Sequence, residues 1–151
     1  MIKFCLKEGE FMKKDTSEML KELEKCSNFK EFISQNQENI EKTELHENLE
    51  ALLKKYNIKK SEAVKASEIN EIYAYQIFAG SRMPDRSKLL CIAIGMGLPL
   101  QEVQLLLRQS GYAPLYVKNP FDCIIAFGIH KGYKLIKING LLYEYGLDTL
   151  G

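Results

Sequence analysis

Histidine is scarce in this sequence. Only His46 and His130 occur, and neither has a partner at a metal-ligand spacing. Carboxylates are thin in the second half, where Asp85, Glu102, Asp122, Glu144 and Asp148 form no recognisable acid/base pair. The "GMG" at 95–97 lacks both the third glycine and the preceding strand of a nucleotide fingerprint, so it reads as a helix end. These absences argue against an enzyme and call for no metal or cofactor.

Long apolar runs are missing as well. The most apolar stretch, "LLCIAIGMGLPL" at 89–100, falls short of the roughly 20 residues that cross a bilayer. It reads as a buried core helix, and no membrane contact is expected. The opening residues mix Lys3 and Lys7 with Glu8 and Glu10, which is not a secretory signal. Cys5, Cys26, Cys91 and Cys123 are scattered with no CxxC pair, and two of them sit inside apolar runs. That usage suits reduced, buried thiols in a cytoplasmic protein. No stretch alternates with period two between hairpin turns, so strands are not expected and the fold class is all-α.

What is present is a core-forming composition, 46% hydrophobic with 27% charged, divided unevenly by sign. Residues 1–50 hold 8 Lys/Arg against 12 Asp/Glu, a net of −4; residues 51–151 hold 13 against 8, a net of +5. Within 54–88 there are eight basic residues and four acidic ones, which is compatible with a phosphate-facing surface.

Helical signals run along the chain. Asp15 with Glu18 starts a helix carrying Met19, Leu20 and Leu23; Asn28 with Glu31 starts a second before Phe29, Phe32 and Ile33. The polar run "SQNQEN" at 34–39 reads as a connector. Leu45, Leu49, Leu52, Leu53 and Tyr56 then form one stripe, a short helix follows around Ser61–Ala66, and Asn70 caps a helix to Ala79 closed by Gly80. The spacing divides the chain into an acidic helical extension at 1–42, a domain at 43–115 and a helical hairpin at 116–151 packed on it.

The second half repeats itself at an offset of 35 residues. Gly97 falls on Gly132, Leu100 on Leu135, Leu106 and Leu107 on Leu141 and Leu142, Gly111 on Gly146, and Leu115 on Leu150. Each copy reads as two helices joined at one glycine and closed by another, with Asn119 and Pro120 starting the second copy. Two copies are too few for a solenoid and predict two packed hairpins.

The stretch "YQIFAGSRMPDRSKLLCIAIGMG" resembles the exit from the recognition helix in DNA-binding proteins of the lambda repressor/Cro type (the Xre family): apolar Ile77, Gly80, basic Arg82, Pro84, then an apolar helix. Ala63, Val64, Ile69, Ala74 and Ile77 match that family's inward positions. The resemblance covers residues 45–107. It implies a five-helix helix-turn-helix domain, flanked by the N-terminal helical extension and the extra C-terminal helical hairpin, with recognition helix 71–79 in the major groove. It further implies a bacterial-type, sequence-specific transcription regulator of double-stranded DNA.

Carried over position by position, Lys60 and Ser61 open the helix before the turn and meet the backbone. Asn70, Glu71, Ile72 and Tyr73 make the first turn of the recognition helix, and Gln76 lies one turn on. Ser81, Arg82 and Arg86 flank the groove and hold phosphates. Glu71 and Ile72 depart from the polar or basic residues usual there. Glu68 stands where glycine is common, which implies a turn without a left-handed residue.

Plainer roles accompany these. Tyr75 is expected to pack structurally, Lys54 and Lys55 to be solvated, and His46 to lie on a polar face. Tyr112, Tyr116, Phe121, Phe127, Tyr133, Tyr143 and Tyr145 are expected in the core, or alternatively on a surface for self-association or a partner helix. A regulator of palindromic sites would be a homodimer. The alternative function is a protein-interaction adaptor that keeps the helix-turn-helix scaffold, antitoxin-like or kinase-associated, with its partner on the C-terminal aromatic hairpin.

Overall fold

The computed structural model describes residues 14–40 and 43–151. The mixed-charge opening stretch and Cys5 lie outside the described residues. Among the described residues the regular structure is all helical, and no helix is long and apolar enough to cross a membrane. The chain divides into two compact units, Met1–Lys42 and Thr43–Gly151.

In the first unit, α1 spans Thr16–Lys25 and α2 spans Phe29–Asn36. Their starts are fixed by side chains that accept orphan backbone N–H groups: Asp15 from Glu18 and Asn28 from Lys30. α1 buries none of its side chains, and Leu20, Leu23 and Phe29 are exposed. The connector expected at 34–39 starts late, because α2 continues through Asn36. The reason is a polar knot around the buried Asn36. Asn36 donates to Glu22 Oε2 and Phe32 O, both at 3.1 Å, and accepts from Lys14 Nζ at 3.0 Å, while Lys14 pairs with Glu22 at 2.6 Å.

The second unit contains α3 (Leu45–Lys55), α4 (Lys60–Ala66), α5 (Glu71–Ala79), α6 (Arg86–Gly95), α7 (Leu100–Gln109), α8 (Pro120–His130) and α9 (Leu135–Glu144). Its core is centred on α6, which buries Leu89 through Ile94 without a break. Burial pushes the Cys91 thiol up to about 11 and leaves it inert. α4 lies close on α6. A Cβ on Gly95 would stand 2.7 Å from Ser67 N and 2.9 Å from Ala63 O, so only glycine fits there.

The turns α3–α4, α4–α5, α6–α7 and α8–α9 share one form: four residues, the second left-handed and the third apolar. Glycine supplies the left-handed residue at Gly97 and Gly132, whereas Asn57 and Glu68 do so at φ +52° and +55°. The α4–α5 turn therefore keeps the left-handed residue that Glu68 had been expected to remove. The helix reversal needs that conformation, and Glu68 adopts it against the preference of a Cβ-bearing residue.

The 35-residue offset is a structural repeat. α7 and α9 begin and end at equivalent residues, and α6 and α8 end at equivalent residues. A further element recurs at the same offset. Gln104 donates to Leu115 O at 2.9 Å and accepts from Leu115 N at 2.7 Å; Asn139 does the same to Leu150 at 3.1 and 2.7 Å. Each primary amide thus pins the chain that folds back over its own helix.

Several expected surroundings differ. Cys91 is buried but Cys123 is exposed, because it lies on the outer side of α8. Of the repeat's aromatics only Tyr112, Phe121 and Tyr133 are half-buried, whereas Tyr116, Phe127, Tyr143 and Tyr145 face solvent. His46 is half-buried rather than on an open polar face, because its ring lies against Gly80 where a Cβ would come within 2.7 Å of Nδ1.

Candidate nucleic-acid interface

α4 and α5 meet across the turn Ser67–Glu68–Ile69–Asn70. Ser67 is fully buried and donates to Val64 O at 2.6 Å, which closes α4; Asn70 accepts from Tyr73 N at 3.0 Å, which opens α5. Ala74, Ile77 and Phe78 hold the inner face of α5 in the core. Its outer face then carries Glu71, Ile72, Tyr75 and Ala79 toward solvent, with Tyr73 and Gln76 half-buried at the edges. Ile72 is 71% exposed, an unusual place for a large apolar side chain.

The chain leaves α5 through Gly80, at φ +85°. The Gln76 carbonyl accepts from Ser81 N at 3.0 Å, Ser81 Oγ at 3.2 Å and Arg82 N at 3.3 Å, which folds the exit back on the helix. Arg82 is thereby held with its guanidinium carbon 5.8 Å from the Tyr73 ring centre. Gln76 keeps its side-chain amide for another partner, since the backbone carbonyl makes these bonds. Ser61, Lys65, Ile69, Glu71 and Tyr75 line a shallow groove of about 420 Å³ between the two helices. Tyr75, expected to pack structurally, sits on its rim and is 38% exposed.

Two of the expected phosphate ligands are held elsewhere. Lys60 pairs with Glu50 of α3 and lies 5.9 Å from the Phe78 ring centre. Arg86 is held by the α7–α8 connection and the start of α8. It donates to both oxygens of Asp122 at 3.0 Å each, to Ala113 O at 3.0 Å and to Pro114 O at 3.3 Å. Asp122 is 7% exposed and also accepts from Tyr116 N at 3.0 Å. A guanidinium has five N–H donors, so these bonds leave Arg86 a single one. Its task is to tie the start of α6 to the α7–α8 connection and the start of α8.

The structure thus places Asn70, Glu71, Ile72 and Tyr73 at the start of α5, Gln76 one turn on and Ser81 and Arg82 at its exit, with Ser61 exposed at the start of α4. It removes Lys60 and Arg86 from that group. Asp122 is the residue that sequence reasoning passed over, since nothing in a one-dimensional reading pairs it with Arg86, 36 positions away. The amides Gln104 and Asn139 did leave a signal, because both fall on the same 35-residue offset as Leu115 and Leu150. Among the described residues no three His, Cys, Asp or Glu side chains gather as metal ligands. The chain matches no protein-family model, no curated protein and no solved structure.

Proposed function

We propose that the chain is a sequence-specific regulator of double-stranded DNA of the lambda repressor/Cro type, with α3–α7 as its five-helix domain and α5 as the helix that enters the major groove. The observation that carries the reading is the solvent-facing first turn of α5, set by a capped four-residue turn and followed by Arg82 at the exit. In this docking Ile72 meets a thymine methyl, Glu71 accepts from a cytosine amino group, and Gln76 pairs with adenine. Ser61, Ser81 and Arg82 hold phosphates, while Lys60 and Arg86 take no part. Selection from a random duplex pool tests it, because base reading enriches a motif and charge alone does not.

A second reading has its own observation. With Lys60 bound to Glu50 and Arg86 bound to Asp122, the cations expected around α5 are reduced, and Ile72 remains a bare apolar tip. That combination suits an adaptor that offers α5 to a protein partner. A selection that enriches nothing, together with an Ile72→Asp variant that loses a protein partner, favours the adaptor.

A further inference from the structure

α9 carries its charge the wrong way round. α1, α3, α4, α7 and α8 each have an acidic residue in the first turn and a basic one in the last, as the helix dipole favours. In α9 Lys134 stands at the N-cap and Lys137 in the first turn, while Glu144 ends the helix and Asp148 follows it. None of the four meets an oppositely charged side chain among the described residues. Lys137 instead lies 3.9 Å over the Tyr133 ring centre.

The open face of α9 is also apolar. Ile136 (71% exposed), Gly140 and Tyr143 (80% exposed) follow one another at i, i+4 and i+7, flanked by Lys137 and Glu144. A Cβ on Gly140 would meet nothing within 4 Å, so the stripe has a notch at its centre. The repeat shows what lies along the edge that carries Lys137, Gly140 and Glu144. At the positions of α7 equivalent to Lys137, Gly140, Leu141 and Glu144 stand Glu102, Leu105, Leu106 and Gln109, and there α3 lies head to tail against the helix, while Gln101 and Arg108, the equivalents of Ile136 and Tyr143, stay exposed. Lys55 in the last turn of α3 meets Glu102 in the first turn of α7 at 2.9 Å. α9 repeats α7 with the sign at this contact reversed and with no helix of the described second unit against it.

We propose that this face is filled by α9 of a second copy of the chain, antiparallel across a two-fold axis near Gly140. An antiparallel copy sets Glu144 of one protomer against Lys137 of the other, where Lys55 stands against Glu102 in the first repeat. Asp148 falls near Lys134 by the same symmetry. Ile136 packs against Tyr143 and Tyr145, and the glycine notches let the two helices approach. The contact is isologous, so each charge pair occurs twice. Ten residues of helix span about 15 Å, so the dimer is small and depends on concentration.

Sedimentation velocity of the full chain over a concentration series tests this, with circular dichroism to show that each variant is folded. The wild type shifts from monomer to dimer. Lys137→Glu and Glu144→Lys each place like charges across the axis and weaken association by about tenfold or more. The double exchange restores it to near the wild-type value. A wild type that stays monomeric at its highest soluble concentration overturns the proposal. So do single exchanges without effect, or a double variant as weak as the singles. The measurement contains no DNA, so its outcome is separate from that of the DNA-binding reading.

Discussion

Arg86 and Asp122 are joined by two parallel hydrogen bonds of 3.0 Å, and this pair fixes the start of α6 to the start of α8. The pair is mostly out of solvent, so removing one member leaves the other charged and unpaired. Arg86→Ala is expected to lower the unfolding free energy by about 3 kcal/mol in a denaturant titration. Arg82→Ala, at an exposed site, leaves stability near that of the wild type. Equal stability losses for both would contradict the assignment of Arg86 to the scaffold.

Glu68 holds a left-handed conformation at φ +55°. Glycine adopts it without the steric penalty on a Cβ, so Glu68→Gly is expected to stabilise the chain by roughly 0.5–1 kcal/mol. Thermal unfolding of the variant checks this, and a lowered Tm would mean that the Glu68 side chain makes a contact worth more than the strain.

At Gly95 the expectation is the opposite. A methyl there meets the α4 backbone, which has no flexible end to yield. Gly95→Ala is expected to cost about 1–3 kcal/mol and to lower Tm even though alanine is the better helix former. A neutral result would show that α4 can move off α6.

These residues also mark how far the sequence was legible. Caps were readable because they are local: Asp15, Asn28, Asn70 and Asn119 each accept from a backbone N–H two or three residues on. The repeat was readable because identical spacing imposes identical turns, and it foretold both hairpins. The left-handed Glu68 was not, since only glycine announces that conformation by its type. Lys60 and Arg86 looked like free cations because their partners, Glu50 and Asp122, lie on other helices. The core expectation failed for Tyr116, Phe127, Tyr143 and Tyr145 for a related reason. Periodicity shows that a stripe exists on α8 or α9, but the neighbour that covers it is set by tertiary packing.

Glu102 should make stability depend on acid. Its carboxylate accepts from Lys55 Nζ at 2.9 Å and Tyr56 Oη at 2.8 Å, and the lysine bond holds it below its ordinary value of 4.5. A carboxylate with a folded pKa below its unfolded one stabilises the fold above the unfolded value, and that contribution disappears as pH falls through the folded one. Glu102→Gln is therefore expected to be less stable than wild type at neutral pH and to approach it in acid. Parallel curves across the acid range would show that the pair contributes nothing.

The most direct test of the DNA-binding account is selection of purified chain against a random duplex pool, followed by salt titrations of wild type, Arg82→Ala and Gln76→Ala on the winning sequence. The account predicts an enriched motif. It predicts that Arg82→Ala weakens binding to every duplex and reduces the salt slope by about 0.9, the loss of one phosphate contact. It predicts that Gln76→Ala relaxes the preference at a single base pair. No enriched motif, with affinity untouched by Arg82→Ala on every duplex, would contradict it and leave α5 as a surface for a protein partner.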